Sequence, residues 1–316
     1  MKMTQETIMM SVPRTLKQPG TPSRIRIDTL AGDGMQLSFT LAAGKTLRDA
    51  LIEPLMAAGM QGGTVRIHDL TLTALHFVRP TLPKDDQHVA FYSEPHHIAH
   101  PVTLKVACAT IGRKDGAPFV HCHAIWEGDD GLERGGHLFT DQVFVQSPAR
   151  AEAWGLPDVV MQADFDEETN FTLFHPIRTN TAGTGTTAGQ AGRCVIAKIC
   201  PNEDLVLGIE AACREHGISN AIVRGSVGSI VGAEFEDGKQ VQDIATEILV
   251  AHGVVSGASP EQARCTLDIA LIDPSGAIHR GRIKRASNPI LICFELVLEE
   301  VSANAALESL AGAQLQ

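Results

Sequence analysis

The chain has 316 residues, 44% hydrophobic and 20% charged, which predicts about two domains with sizeable cores and excludes a disordered chain. Its net charge of −11 excludes a globally basic surface that would bind nucleic acid by displacing counterions. The 7 cysteines are odd in number and form no C-x-x-C, so they predict buried free thiols in a reducing, cytoplasmic setting instead of a disulfide framework.

Residues 1–23 show no apolar run ending in a small-residue cleavage site and are expected to be a loose arm. No stretch is apolar for long enough to cross a membrane as a helix. Arg24–Leu41 alternates apolar residues around Gly32-Asp33-Gly34, which predicts a β-hairpin. Thr46–Ala58 has helical spacing at Leu47, Leu51 and Leu55, with Gly59 behind its end and Pro54 inside it predicting a kink or break. Thr64–Val78 reads as one or two strands. A long connection through His96, His97 and His100 leads to a strong strand, Pro101–Ile111, and Gln142–Val145 reads as a further strand.

Val120–Leu138 follows that strong strand. His121 and His123 are two apart and project from the same face of a strand, while Cys122 points to the opposite face, into the core. Gly128-Asp129-Asp130-Gly131 is turn chemistry, and Gly135-Gly136 permits close approach of the returning strand. His137 then arrives beside the first pair. Three imidazoles on one surface suit zinc or another divalent transition metal, with a fourth position left open as in catalytic sites. Two ordinary half-buried histidines would show the same His-x-His spacing. Glu127, Asp129 and Asp130 are candidates to orient an imidazole. Arg66 and His68 are candidate substrate-binding residues from a neighbouring strand, and His96, His97 and His100 are candidate catalytic bases or further ligands.

Residues 177–192 are small, polar and glycine-rich and read as a linker. Beyond them the order of elements repeats: a strand at Cys194–Cys200, a helix at Asp204–Glu215, a strand pair over Ala221–Phe235, then strands at Glu247–Val255, Cys265–Ile272 and Ile290–Glu300. One offset superposes Leu47 on Leu205, Gly59 on Gly217 and Phe77 on Phe235. A shorter one superposes Gly131 on Gly276 and Gly136 on Gly281. The second offset places Thr266, Asp268 and Arg282 at the positions of His121, His123 and His137, so one metal site per chain is expected, with Asp268 and Arg282 free to pair.

The run from Glu203-Asp-Leu through His216-Gly-Ile-Ser-Asn-Ala-Ile-Val-Arg-Gly-Ser-Val-Gly-Ser, then Thr246-Glu-Ile-Leu and His252-Gly-Val-Val-Ser, strongly resembles the PPC (plants and prokaryotes conserved) domain. The first half carries that family's other signature, His121-x-His123 with Gly-Gly-His137-Leu. The resemblance implies an α+β class of two fused PPC-like domains, each a mixed, mostly antiparallel sheet with a packed helix, at 24–176 and 193–316. It further implies assembly as a trimer and a zinc-binding triad of His121, His123 and His137. Relatives in plants associate with DNA through a separate AT-hook, which this sequence lacks. Two functions follow as expectations. The first is a metal-dependent protein, a hydrolase, lyase or isomerase if an enzyme, that acts on or binds a small anionic metabolite. The second is a non-enzymatic DNA-associated or protein-assembly module with a structural metal.

Overall fold

The computed structural model describes residues 14–180 and 189–313. The first half runs β1 (Ile27–Leu41), α1 (Leu47–Ala57), β2 (Gly63–Leu72), β3 (Leu75–Val78), and the short strands β4 (Pro80–Thr81), β5 (Phe91–Tyr92) and β6 (His96–Ile98). It continues with β7 (Val102–Lys114), β8 (Ala117–Glu127), β9 (Glu133–Leu138), β10 (Ala149–Gly155), β11 (Val159–Phe165) and β12 (Thr172–Arg178). The second half runs β13 (Gly189–Ile199), α2 (Leu205–Glu215), β14 (Ala221–Glu234), β15 (Gln240–Ser256), β16 (Arg264–Ile272), β17 (Ile278–Arg282), β18 (Ile290–Glu300) and α3 (Ala303–Ala313).

The strands of the first half lie in the order β1-β10-β2-β7-β8-β9, and those of the second in the order β13-β18-β14-β15-β16-β17. Position by position these are one order, and α1 and α2 follow the first strand of each half with 11 residues apiece. Pairing is antiparallel throughout except between β11 and β7. The halves join edge to edge through β1 and β13, with Ile27 opposite Ile199, so all of these strands form one sheet. That sheet folds back on itself. The Gly135 N–H donates to Gly276 O at 3.0 Å, and Arg280 pairs with Glu133 at 3.0 Å, which brings the far edge of one half onto the other.

The fold-back explains the long apolar runs. A strand buried on one face alternates, whereas a strand covered on both faces reads as nearly continuous apolar sequence. In β7, Ala107 and Ala109 pack into the core under α1, while Val106 and Cys108 face the second half and meet Val227, Leu249 and Ala270. In β8, Cys122 and Ala124 face the first-half core and Ile125 faces the second half. His121 and His123 share the face of Ile125 by strand alternation, so they are directed at the other half of the molecule.

Several expectations are corrected. Arg24–Leu41 is not a hairpin: it forms the single strand β1, with a register shift between Asp33 and Met35, because its whole length is paired by β10 and β13. Residues 221–235 likewise form one strand with irregular pairing instead of two. Helix α1 runs unbroken through Pro54, with Leu47, Leu51 and Leu55 fully buried, so packing outweighs the lost hydrogen bond. Gln142–Val145 forms only isolated bridges. The expected linker at 177–192 is trimmed at both ends by β12 and by β13, whose Gly189 and Gln190 pair with Gln36 and Met35; residues 181–188 lie outside the described residues. Of the expected loose arm, residues 1–13 also lie outside, but the rest is held. Asn202 clamps Leu16 through both its N–H and its carbonyl at 2.8 Å, and the buried Gln18 donates to Leu291 O at 2.7 Å. All 7 cysteines are free and buried. No described helix is long and apolar enough to cross a membrane.

Candidate metal centre

The β8–β9 hairpin assembles the three histidines. Its turn at Gly128–Gly131 is closed by the Gly131 N–H to Gly128 O bond at 2.9 Å, with Gly131 at φ 75°. The register places His123 directly opposite His137. Gly136 makes this possible: a Cβ there would stand 2.8 Å from both the Phe77 ring and Val78 O. Ring centroids lie 4.8 Å apart for His121 and His123, 5.0 Å for His121 and His137, and 5.5 Å for His123 and His137. One ring nitrogen from each lies within 4.8 Å of the others, and among the described residues this is the one cluster of three or more potential metal-ligating side chains of this kind.

The partners of the rings dictate their tautomers. His121 Nδ1 lies 3.1 Å from the Glu295 carboxylate, and His123 Nδ1 lies 3.1 Å from Ile248 O. Both partners are acceptors only, so both Nδ1 atoms carry hydrogen and donate. This is the orientation that metal-ligating histidines show, with one ring N–H held by a carboxylate or carbonyl and the other nitrogen free. The two Nε2 lone pairs are then aimed at each other across 3.1 Å. Glu247 Oε1, also an acceptor, lies 3.3 Å from His123 Nε2 and 3.7 Å from His137 Nδ1. Converging lone pairs of this kind call for a proton or a cation between them.

Electrostatics agree. Burial pushes the Glu247 and Glu295 carboxyls upward, but the facing histidines more than offset this and hold both below the usual range. For His123, burial disfavours the charged ring, yet the Glu247 carboxylate outweighs it and raises the pKa. His137 is lowered to about 4, by burial first and then by the charges of its two neighbouring rings. Tyr92, whose Oη is 3.3 Å from His137 Nδ1, is pushed upward by burial and by Glu247, so it stays a phenol.

A cavity of about 280 Å³ opens over the triad. Phe91, Tyr92, Phe119, Phe171 and Phe174 form its aromatic walls, and residues of β14, β15 and β18 close its far side. Among the described residues, no lysine or arginine lines it.

Other expected site residues lie elsewhere. Arg66 spends its guanidinium on Val250 O and Ala251 O, at 2.9 and 2.8 Å, and ties β2 to β15 instead of facing the cavity. His68 is exposed on β2. His96 stacks on Phe77 at 5.1 Å, His97 meets His76 at 4.3 Å, and His100 approaches Asp129 at 3.3 Å; none of these three histidines lines the cavity, because β6 pairs with β3 on the outer edge of the sheet. Glu127 is held by Lys105, Asp130 by Arg134, and Asp129 faces His100, so the turn carboxylates orient no imidazole of the triad. The residues that do so, Glu247, Ile248 and Glu295, were missed. Glu295 had a signal, a carboxylate within the apolar run Ile290–Leu298.

At the matching positions of the second half, Asp268 lies opposite Arg282 in the β16–β17 register. Arg282 Nε and Nη2 donate to the two Asp268 oxygens at 3.0 and 3.1 Å, so a bidentate ion pair stands where the first half has His123 and His137.

Similarity to known proteins was found at two levels. No curated protein matches this chain. Among solved structures, a metal-containing protein from Archaeoglobus fulgidus is similar at 22% identity and a TM-score of 0.35, covering 47% of this chain and 96% of its own. A plant- and prokaryote-conserved (PPC) protein from Pyrococcus horikoshii is similar at 16% identity and 0.36, covering 47% and 96%. A Ralstonia eutropha JMP134 protein, whose name gives DNA binding as a provisional role, is similar at 14% identity and 0.32, covering 43% and 88%. The model of the Plants and Prokaryotes Conserved (PCC) domain, the family termed PPC above, matches residues 186–302, within the second half of this chain.

Proposed function

We propose that this protein is built around one divalent transition metal ion held by His121, His123 and His137, and that it binds or transforms a small molecule in the cavity above them. The observation that carries this reading is the convergence of ring nitrogens: two Nε2 atoms 3.1 Å apart with a buried carboxylate beside them. Imidazole donors with a carboxylate suit zinc best among the common ions. When bound, such an ion supplies a Lewis acid that acidifies water or polarises a carbonyl. The chain's own part is to fix the rings through Glu295 and Ile248, to exclude water with aromatic walls, and to keep Tyr92 protonated as a donor.

The lining narrows the ligand. With no lysine or arginine there, the ion itself is the cation that would hold an anionic group, so a single polar head on a largely apolar body fits better than a polyanion. The acidic charge of the chain and the absence of an AT-hook favour this over a DNA-associated module. We further infer that the two halves are copies of one PPC-like unit, at about 24–176 and 193–316. Their shared strand order and the Asp268–Arg282 pair at the histidine positions support this, and a trimer remains the assembly that the family resemblance implies.

Metal content by mass spectrometry, on protein purified without added metal, tests the centre. One zinc per chain that disappears in His123→Ala is expected; a metal-free wild type after incubation with zinc would sink the reading.

A further inference from the structure

We propose that Glu247, delivered by β15 of the second half, is the fourth ligand of the metal centre, so that the ion cross-links the two halves of the chain. The inference rests on the metal reading above and goes beyond the three histidines of one hairpin.

The placement of Glu247 is the first ground. Of the six edges of a donor tetrahedron, three, at 3.1, 3.3 and 3.7 Å, lie close to the edge of about 3.3 Å set by bonds of roughly 2.0–2.1 Å, and the histidine nitrogens stay within 4.8 Å of one another. Its unfinished bonding is the second. The residue is 4% exposed, and Oε2 is buried with no hydrogen-bond partner. A buried carboxylate oxygen left without a donor is costly, and coordination of the carboxylate to an ion is one of the few ways to offset that. The surroundings are the third. No lysine or arginine lines the cavity among the described residues, and the groups that Glu247 Oε1 meets are the rings of His123 and His137. The second half also supplies the acceptors that orient His121 and His123, namely Glu295 and Ile248 O. One half thus presents the imidazoles, and the other presents the acceptors that aim His121 and His123 and the carboxylate that completes the set. The fourth position that the hairpin alone would leave open is taken by Glu247 from across the molecule, and a ligand in the cavity reaches the ion as a fifth group.

Competition titration with Zn²⁺ and the visible spectrum of the Co²⁺ form test this on the full chain. Glu247→Gln, which keeps size and shape, should lose more than about 100-fold in Zn²⁺ affinity and change the Co²⁺ spectrum. Glu295→Gln, at a residue hydrogen-bonded within the triad to His121 alone, should lose about 10–100-fold and keep the spectrum. Equal affinity and an unchanged spectrum in Glu247→Gln would overturn the inference and leave the three-histidine centre standing. A wild type that binds neither ion would overturn both. Anomalous diffraction from zinc-loaded wild-type crystals decides the matter without any variant: zinc within about 2.2 Å of a Glu247 oxygen supports the inference, and zinc beyond bonding distance refutes it.

Discussion

Asp166 shows how a single side chain couples the halves and how pH should act on it. Its Oδ1 accepts from Thr169 N and Oγ1 at 2.9 Å, and its Oδ2 pairs with the buried Lys198 of β13 at 3.0 Å. Burial raises its pKa, but Lys198 and Thr169 outweigh this and hold it below the ordinary carboxylate value. A depressed carboxylate contributes stability that is present above its unfolded value, near 3.9, and is lost as pH falls through the folded value. Asp166→Asn leaves Lys198 buried and unpaired and should cost about 3 kcal/mol at neutral pH. Urea unfolding of both proteins at neutral pH and near pH 3 checks this, since the gap between them should narrow in acid. Isolated residues of this kind were not readable as partners in the sequence, because Asp166 lies in the turn after β11 and Lys198 on β13, and their proximity depends on the closure of the whole sheet.

At the scale of elements, the β8–β9 hairpin was legible and its surroundings were not. Alternation around a Gly-Asp-Asp-Gly turn fixes which residues share a face, so His121, His123 and His137 could be grouped without coordinates. Gly136 was read correctly as a point of close approach, and the neighbour it admits is Phe77 with Val78 O. Gly136→Ala should therefore destabilise the fold by about 1–3 kcal/mol and weaken zinc binding, since β9 must shift with His137 on it. Thermal unfolding alongside zinc titration would show it; an unchanged affinity would mean that Phe77 yields instead of β9. Strand β1 shows the reverse case. Gly32 and Gly34 look like a turn in one dimension, but the strand keeps going because β13 pairs it up to Asp33 and again at Met35, where β10 takes over on the other side.

At the scale of the molecule, the contact between the halves has an apolar core, formed by Val106, Cys108 and Ile125 against Val227, Leu249 and Ala270. Leu249 is fully buried there. Leu249→Ala should cost about 2–5 kcal/mol in chemical denaturation, and it should also loosen the centre because Glu247 and Ile248 precede it on β15. Metal should act in the opposite direction. An ion bound by the folded chain alone stabilises by about 2.7 kcal/mol at a hundred times its dissociation constant. Zinc should therefore raise the melting temperature of the wild type, a chelator should reverse the rise, and His123→Ala should show neither effect. A wild-type melting temperature indifferent to saturating zinc would contradict a centre that holds the halves together.

The sequence by itself determined the mostly antiparallel α+β class, the repeated order of elements, the family resemblance of the second half and the histidine group, because each depends on local periodicity or on residues close together in the chain. It also placed Asp268 opposite Arg282, where the ion pair now stands. Only the tertiary structure decided what faces that group. Glu247 and Glu295 lie more than a hundred residues from the histidines, and they reach them because a sheet of two halves folds its apolar faces together. It likewise left His96, His97 and His100 on an outer edge and turned Arg66 into a clamp between strands. Which residues meet across that seam follows from the burial of apolar surface by the whole chain, and no local pattern encodes it.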